Sequence, residues 1–397
     1  MITDEKKIDE LLSRGVEEVI EKEHLKNALL SGKQLRVKFG IDPTAPYVHL
    51  GHAVPLRKLK QFQDLGHKVI LIIGDFTAKI GDPTGRSEER KPLSDKEIKN
   101  NLKNYLKQAG KILDLKKTEV FYNSKWFAKE GMKEIIMLSA AGSIQQVLRR
   151  ADFKKRLNEG NDITLTEVLY TLFQAYDSVK IKADVEIGGT DQLFNLLMGR
   201  RVQRHYGMNE QDILTMHLLE GTDGVKKMSK SVGNYIGLTE KPLEMFEKIM
   251  LIPDSLIEKY FLLCTDASQE DIQKISERLK NGENPRDVKL ELTERITALY
   301  HGDKKAKEAR DEFIKIFSKK EKPTEIEEYK LSKIELSLIE LLAESGLAKS
   351  KSDAKRLVEQ GGVSVDDAVH KDIKKILSFK GGEIIKVGKR RFIKVIL

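Results

Sequence analysis

Residues 35–42, LRVKFGID, form a short apolar run rich in Val, Phe and Ile, and it breaks into DPTAPYVHLGH, residues 42–52. Immediately downstream, AVPLRKLKQFQDLGH sets Leu56, Leu59, Phe62 and Leu65 at helical spacing and stops at Gly66. A second apolar run, KVILIIGD, follows at once. The pattern predicts strand, loop, helix and strand, a βαβ unit with parallel strands and a right-handed crossover. TEVFYN and ADVEIGG read as further strands, separated by a long helical stretch containing VLRRADFKKRL. Ahead of all this, residues 1 to about 32 read as helices. From 35 to about 230 the alternation is that of an α/β domain with a doubly wound parallel sheet.

From about 240 to 318 the pattern turns helical throughout, and NPRDVKLELTERITALYHG opens near Pro285 and closes on Gly302. KKEKPTEIEEYKLSK is polar and reads as a linker. Two short helices, LSLIELLAESGL and SKSDAKRLVEQGG, come next, each ended by glycine. GGVSVDD and GGEIIKVGKRRFIKVIL supply strands, the last two pairing as a hairpin around Gly388, Lys389 and Arg390.

A chain of 397 residues is too long for one core, so two or three domains are expected. The 71 Lys and Arg exceed the 62 acids by nine, which permits a polyanionic partner without requiring one. Charged residues at 34% suggest a well-solvated surface, with a thermophilic source the other reading. Cys264 is the only cysteine, which excludes an intrachain disulfide and a Cys-rich zinc site. The charged start MITDEKKIDELLSRG is no signal peptide, and no apolar run approaches the roughly 18 residues of a membrane span. A soluble cytoplasmic protein with no membrane partner is the expectation.

The loop HLGH lies at the carboxyl end of a strand and the amino end of a helix, where such folds bind ligands. Free backbone N–H groups there attract phosphate. His49 and His52 can donate hydrogen bonds to its oxygens, and Gly51 lets a flat base lie against the backbone. Read alone, histidines in such a turn are more often simple caps or surface residues. Farther on, DGVKKMSKSVGN brings Lys227 and Lys230 together in a glycine-flanked loop, with Ser229 and Ser231 beside them. Lysines so placed can clamp a triphosphate and neutralise departing pyrophosphate; read alone, such a loop is more often solvated surface.

HLGH followed by KMSKS on a doubly wound domain resembles the class I aminoacyl-tRNA synthetases. The fuller resemblance is to the bacterial tyrosyl-tRNA synthetase family, in the branch whose lysine loop reads KMSKS, and it covers essentially the whole chain. It implies a Rossmann-like catalytic domain with a helical insert over 1–235 and a helical anticodon-binding domain over 236–320. A linker over 321–334 and an S4-like RNA-binding domain over 335–397 complete the expectation. The implied activity is tyrosine–tRNA ligation: tyrosine and ATP give tyrosyl-adenylate and pyrophosphate, and the tyrosyl group then passes to the terminal adenosine of its tRNA. Mg²⁺ with ATP, no structural metal, and a homodimer are implied as well.

The resemblance also implies residue roles. His49, His52, Lys227 and Lys230 would stabilise the transition state. Asp42, Thr44, Gly51, Gly189, Asp191 and Lys230 would bind ATP. Tyr170, Gln174 and Asp82 would surround the substrate ammonium, Asp177 would accept the phenol hydroxyl, and Gln192 would lie by the carboxylate. Independently, Tyr170, Gln174 and Asp177 are spaced to share one helical face, which an ordinary amphipathic helix would also give. An unpaired Asp177 would reject phenylalanine, and tyrosyl-tRNA synthetases are the standard illustration of such rejection without editing. Lys38 departs from the family pattern, in which many relatives place a tyrosine as a second phenol partner. Pro55 falls in the first turns of its helix, where a missing N–H is tolerated.

For RNA, Lys349, Lys351, Lys355 and Arg356 cluster on one S4-like helix and suit phosphates. Arg149, Arg150, Lys154, Lys155 and Arg156 could hold the acceptor stem, although the matching insert in relatives also forms the dimer interface. Two alternatives stay open at this point: a tryptophanyl-type enzyme, and an RNA-binding protein without essential catalysis.

Overall fold

The computed structural model describes residues 1–84, 93–317, 326–388 and 391–397. The chain divides into two compact units, Met1–Gly302 and Asp303–Leu397. In the first, β1 (Val16–Ile20), β2 (Arg36–Ile41), β3 (Lys68–Ile73), β4 (Thr118–Tyr122), β5 (Val185–Gly189) and β6 (Asp212–Met216) make one sheet of order β1-β6-β5-β2-β3-β4. β2 to β6 pair in parallel, as the βαβ pattern predicts. β1 is antiparallel to β6, so the sheet is mixed at that edge. The doubly wound parallel sheet therefore carries one antiparallel edge strand, and the all-helical reading of the first residues is corrected. Helices Glu5–Ser13 and Lys22–Leu30 do form there, but β1 lies between them. An edge strand with solvent-facing Glu17 and Glu18 shows no apolar run.

β3 explains why helices cover both faces. Its Val69, Leu71 and Ile73 enter one apolar cluster with Leu56, Leu59 and Phe62 of the helix Leu50–Asp64. Its Ile70 and Ile72 enter another with Leu172 and Phe173 of the helix Leu165–Ile181 and Met198 and Val202 of the helix Leu193–His205. Alternate side chains of a strand point to opposite faces, so an unbroken apolar run marks a strand buried on both. Thr164 starts the Leu165–Ile181 helix through a capping box with Glu167.

Helices Pro242–Met250, Ile257–Cys264, Gln269–Lys280 and Pro285–His301 follow. Their Met245, Phe261, Val288 and Leu292 share the larger cluster with the sheet, so the stretch read as a separate domain continues the same core. At β2 the strand order reverses, and a crevice opens at the carboxyl ends of β2 and β5.

The second unit begins with the helix Asp303–Phe317. β7 (Glu327–Lys330), β8 (Glu335–Ser337), β9 (Val363–Val365), β10 (Ala368–Val369), β11 (Ile376–Ser378), β12 (Ile384–Val387) and β13 (Arg391–Ile396) follow. They form a five-stranded sheet, β10-β9-β12-β13-β7, and a pair, β8 with β11. Helices Leu338–Glu344 and Lys351–Glu359 supply Leu341, Leu342, Ala354 and Val358 to the core against Ile385, Val387, Ile393 and Val395. β12 and β13 pair antiparallel, while Lys389 and Arg390 of the expected turn lie outside the described residues. Within the polar stretch read as a linker, β7 pairs parallel to β13; residues 318–325 lie outside the described residues.

Candidate functional site

The crevice is built first by backbone. His49 is the N-cap of Leu50–Asp64 in extended geometry, which turns the chain from β2 into the helix. Leu50 N–H donates to the Ile236 carbonyl at 3.0 Å, and Leu238 N–H to the Val48 carbonyl at 2.9 Å. These bonds fasten the HLGH turn to the segment that follows KMSKS. The His49 and His52 rings lie 3.8 Å apart, and His49 Nδ1 is buried with no hydrogen-bond partner among the described residues. Burial, then the Lys230 and Lys227 charges, pull His52 down to about 3, and burial with the His52 ring beside it takes His49 well down too. Both imidazoles are therefore neutral at pH 7, each offering one N–H.

Pro55 needs a correction. It is the sixth residue of its helix, beyond the four whose N–H groups are free anyway. Its missing N–H leaves the Gly51 carbonyl without an intrahelical partner where both residues line the cavity.

The lysine loop is organised from within by Asn234, which is 4% exposed. Its Oδ1 accepts from Ser229 N–H at 2.8 Å, and its Nδ2 donates to Asp223 Oδ2 at 3.0 Å and the Lys226 carbonyl at 3.1 Å. Met228 is buried, so Lys227 and Lys230 flank an anchored point. Lys227 pairs with Asp191, and Lys230 donates to the Tyr47 carbonyl with its Nζ 5.3 Å from the Tyr47 ring centre. Burial lowers Lys230 to about 8. Both lysines and both histidines line one cavity of about 430 Å³, together with Asp42, Thr44, Gly51, Gly189 and Asp191.

The same cavity runs to Tyr170, Gln174, Asp177, Asp82 and Gln192. Tyr170 OH donates to Asp42 Oδ2 at 3.0 Å, and Gln192 Nε2 to Asp82 Oδ2 at 2.8 Å. Burial and the Asp42 carboxylate hold the Tyr170 phenol protonated. Asp177 is 3% exposed, and burial pushes its carboxyl up to about 7. Trp126 Nε1 donates to Asp177 Oδ1 at 2.9 Å, and Asn123 Nδ2 to Asp177 Oδ2 at 3.4 Å. Sequence reasoning missed both donors. Trp126 being the chain's single tryptophan was the only signal for it. Asn195, which donates to Gln192 Oε1 at 2.9 Å, was missed as well.

The basic segment divides. Arg149, Lys154 and Lys155 are exposed. Arg150 and Arg156, expected on the same RNA-facing surface, are buried instead. Arg150 donates to Thr84 Oγ1, Thr171 Oγ1 and Asn195 Oδ1, and pairs with Asp152 at 2.8 Å. Arg156 pairs with Glu167 at 2.5 Å beneath the start of Leu165–Ile181. A guanidinium with several internal acceptors is a structural clamp, and local charge spacing gives no sign of that. In the second unit Lys349, Lys351, Lys355 and Arg356 are all exposed, with Arg356 bonded to Asp353 at 2.6 Å.

No helix among the described residues is long and apolar enough to cross a membrane. Residues 30–318 match the family model for tRNA synthetases class I (W and Y), and residues 338–385 match that of the S4 domain. The chain is 49% identical to a tyrosine–tRNA ligase of Thermotoga maritima over 97% of its length and 96% of that protein. It is 50% identical to one of Carboxydothermus hydrogenoformans over 98% of its length and 97% of that protein. In fold it is similar to the crystal structure of tyrosyl-tRNA synthetase complexed with L-tyrosine from Archaeoglobus fulgidus, with TM-score 0.64 at 22% identity. That likeness covers 77% of this chain and 100% of the other.

Proposed function

The chain belongs to the tRNA synthetases class I (W and Y) and acts as a tyrosine–tRNA ligase, and we propose that the cavity at β2 and β5 performs both of its steps. The observation that carries this reading is convergence: an imidazole pair, a lysine pair and the buried Asp177 acceptor all face one cavity. In the first step the tyrosine carboxylate oxygen bonds to the α-phosphorus of ATP while the bond from that phosphorus to the β-phosphate bridging oxygen breaks. Tyrosyl-adenylate forms and pyrophosphate leaves. In the second, a ribose hydroxyl of the tRNA's terminal adenosine takes the acyl carbon, and AMP leaves.

Asp177 accepts the phenol hydroxyl. Tyr170, Gln174 and Asp82 hold the ammonium, and Gln192 lies by the carboxylate. Thr44, Gly51, Gly189 and Asp191 hold the nucleotide, with Asp42 orienting Tyr170. Neutral His49 and His52 donate N–H groups to the phosphates. Lys227 and Lys230 exchange Asp191 and the Tyr47 carbonyl for the triphosphate, where their charge offsets that of departing pyrophosphate. Positioning and charge suffice, and no protein nucleophile is needed. Mg²⁺ would come as the companion of ATP and would supply further positive charge at its phosphates. Among the described residues no group of three or more His, Cys, Asp or Glu could hold it alone, and no step here is routed through it.

The exposed Lys349, Lys351, Lys355 and Arg356 support phosphate contacts to tRNA. Exposed apolar side chains of the insert, among them Met132, Ile136 and Ile144, support a homodimer. The helices of 242–301 are assigned to the anticodon side, and the compartment is the cytoplasm. Exchange of labelled pyrophosphate into ATP, run with tyrosine and tryptophan side by side, tests the reading. Exchange with tyrosine is expected; exchange with tryptophan alone, or with neither, overturns it.

A further inference from the structure

Lys38 on β2 has Glu186 on β5 as its register partner, and both side chains are buried, 0% and 1% exposed. Lys38 Nζ lies 2.8 Å from Glu186 Oε1 and donates to the Gln174 carbonyl at 2.9 Å and Ser178 Oγ at 2.8 Å. Two of the ammonium's protons thus go to the 174–178 turn, and the Glu186 carboxylate supplies the countercharge. Ser178 Oγ donates onward to Glu186 Oε2 at 3.1 Å, and Gln211 Nε2 donates to the same oxygen. Gly199 makes the approach possible, because a Cβ there would run into Gln211 Nε2.

A buried ion pair is a poor source of stability, since apolar side chains of similar volume commonly do as well or better. What this one does is placement. Gln174 and Ser178 bracket Asp177 on one turn of the Leu165–Ile181 helix, so Lys38 grips the turn that presents Asp177. Gln174, Asp177 and Glu186 line the cavity, and Lys38 stands behind them.

We infer that Lys38 is a positioning residue for recognition of the phenol. It pins the 174–178 turn to the sheet and lends Asp177 the positive charge that keeps it an anionic acceptor, without touching the substrate. This rests on the tyrosine reading of the cavity.

The electrostatics agree. Burial raises Asp177, and Lys38 is the largest opposing influence. The other groups facing Asp177 are the neutral donors Asn123 and Trp126, the Glu186 carboxylate across the sheet, and, towards the cavity, Tyr170 with Asp42 and Asp82 beyond it. Lys38 is the only cation among these.

The test uses the full chain with Lys38→Met and with Lys38→Met/Glu186→Gln, the second leaving no buried charge unpaired. KM for tyrosine and for ATP is measured in tyrosine-dependent exchange from about pH 6 to about pH 9. Losing a cation at this range raises a carboxyl by about one unit or more, so the anionic fraction of Asp177 falls about tenfold at and below neutrality and recovers in alkali. The expected result is a tyrosine KM raised about tenfold near pH 6 to 7 in Lys38→Met and by a smaller factor in the double variant, where the opposing Glu186 charge is gone too, both closing towards that of the unaltered protein near pH 9, with the KM for ATP moving less than about twofold. A tyrosine KM in Lys38→Met that is unchanged at every pH or raised equally at every pH, or a double variant whose rise equals or exceeds that of Lys38→Met, overturns the inference. If the unaltered protein shows no tyrosine-dependent exchange, the tyrosine reading falls; if it does, failure belongs to Lys38 alone.

Discussion

Asp177 concentrates the specificity of the site in one carboxylate. Asp177→Asn keeps the volume and the Trp126 contact but gives up the charge. Losing a hydrogen bond to a charged group removes about 1.5–3 kcal/mol, so the tyrosine KM should rise about tenfold to hundredfold while that for ATP holds, as steady-state exchange would show. His52 predicts a pH effect of definite sign. Its folded value is depressed to about 3, against about 6.5 in the unfolded chain. Between those values the unfolded state binds more protons, so the contribution is fully present above about 6.5 and is lost as pH falls towards about 3. Unfolding free energies from urea titrations at about pH 7 and pH 5 should therefore diverge more for the unaltered protein than for His52→Gln, by about 1–2 kcal/mol. At this scale the sequence was legible where chemistry is local. The histidine turn, the lysine loop and the Tyr170–Asp177 face could be picked out from spacing. Arg150 and Arg156 could not, because burial is decided by Asn195, Thr84 and Glu167, which the charge pattern does not see.

The lysine loop shows how an element keeps a flexible pair in place. Asn234 and Met228 tie it from inside, and Gly221 gives Asn234 its room, since a Cβ there would strike both the Asn234 side chain and its carbonyl. Gly221→Ala should cost about 1–3 kcal/mol by overpacking and lower kcat for exchange more than it changes either KM. Thermal unfolding with steady-state kinetics checks both. Elements buried on two faces, such as β3, were evident from their unbroken apolar runs. β1 and β7 were not, because each is an edge strand with exposed glutamates. β7 pairs with β13, far along the chain, and no local periodicity reports such a partner.

For the whole molecule, the two proposed macromolecular contacts make separable predictions. Lys351→Glu/Lys355→Glu should raise the KM for tRNA in aminoacylation and flatten its salt dependence by about two phosphate contacts, with the loss falling on transfer rather than on activation. Ile136, 61% exposed on the insert, should be covered in a homodimer. Ile136→Glu should then move the sedimentation coefficient from dimer towards monomer as protein is diluted. The bonds from Leu50 to Ile236 and from Leu238 to Val48 have a consequence for biosynthesis. The histidine turn emerges early from the ribosome, yet the segment that braces it is made only after the whole sheet. A nascent chain halted before Ile236 would carry the first signature complete, tied through Val48 to Gln108 but without its brace at Ile236 and Leu238, so competence arrives late.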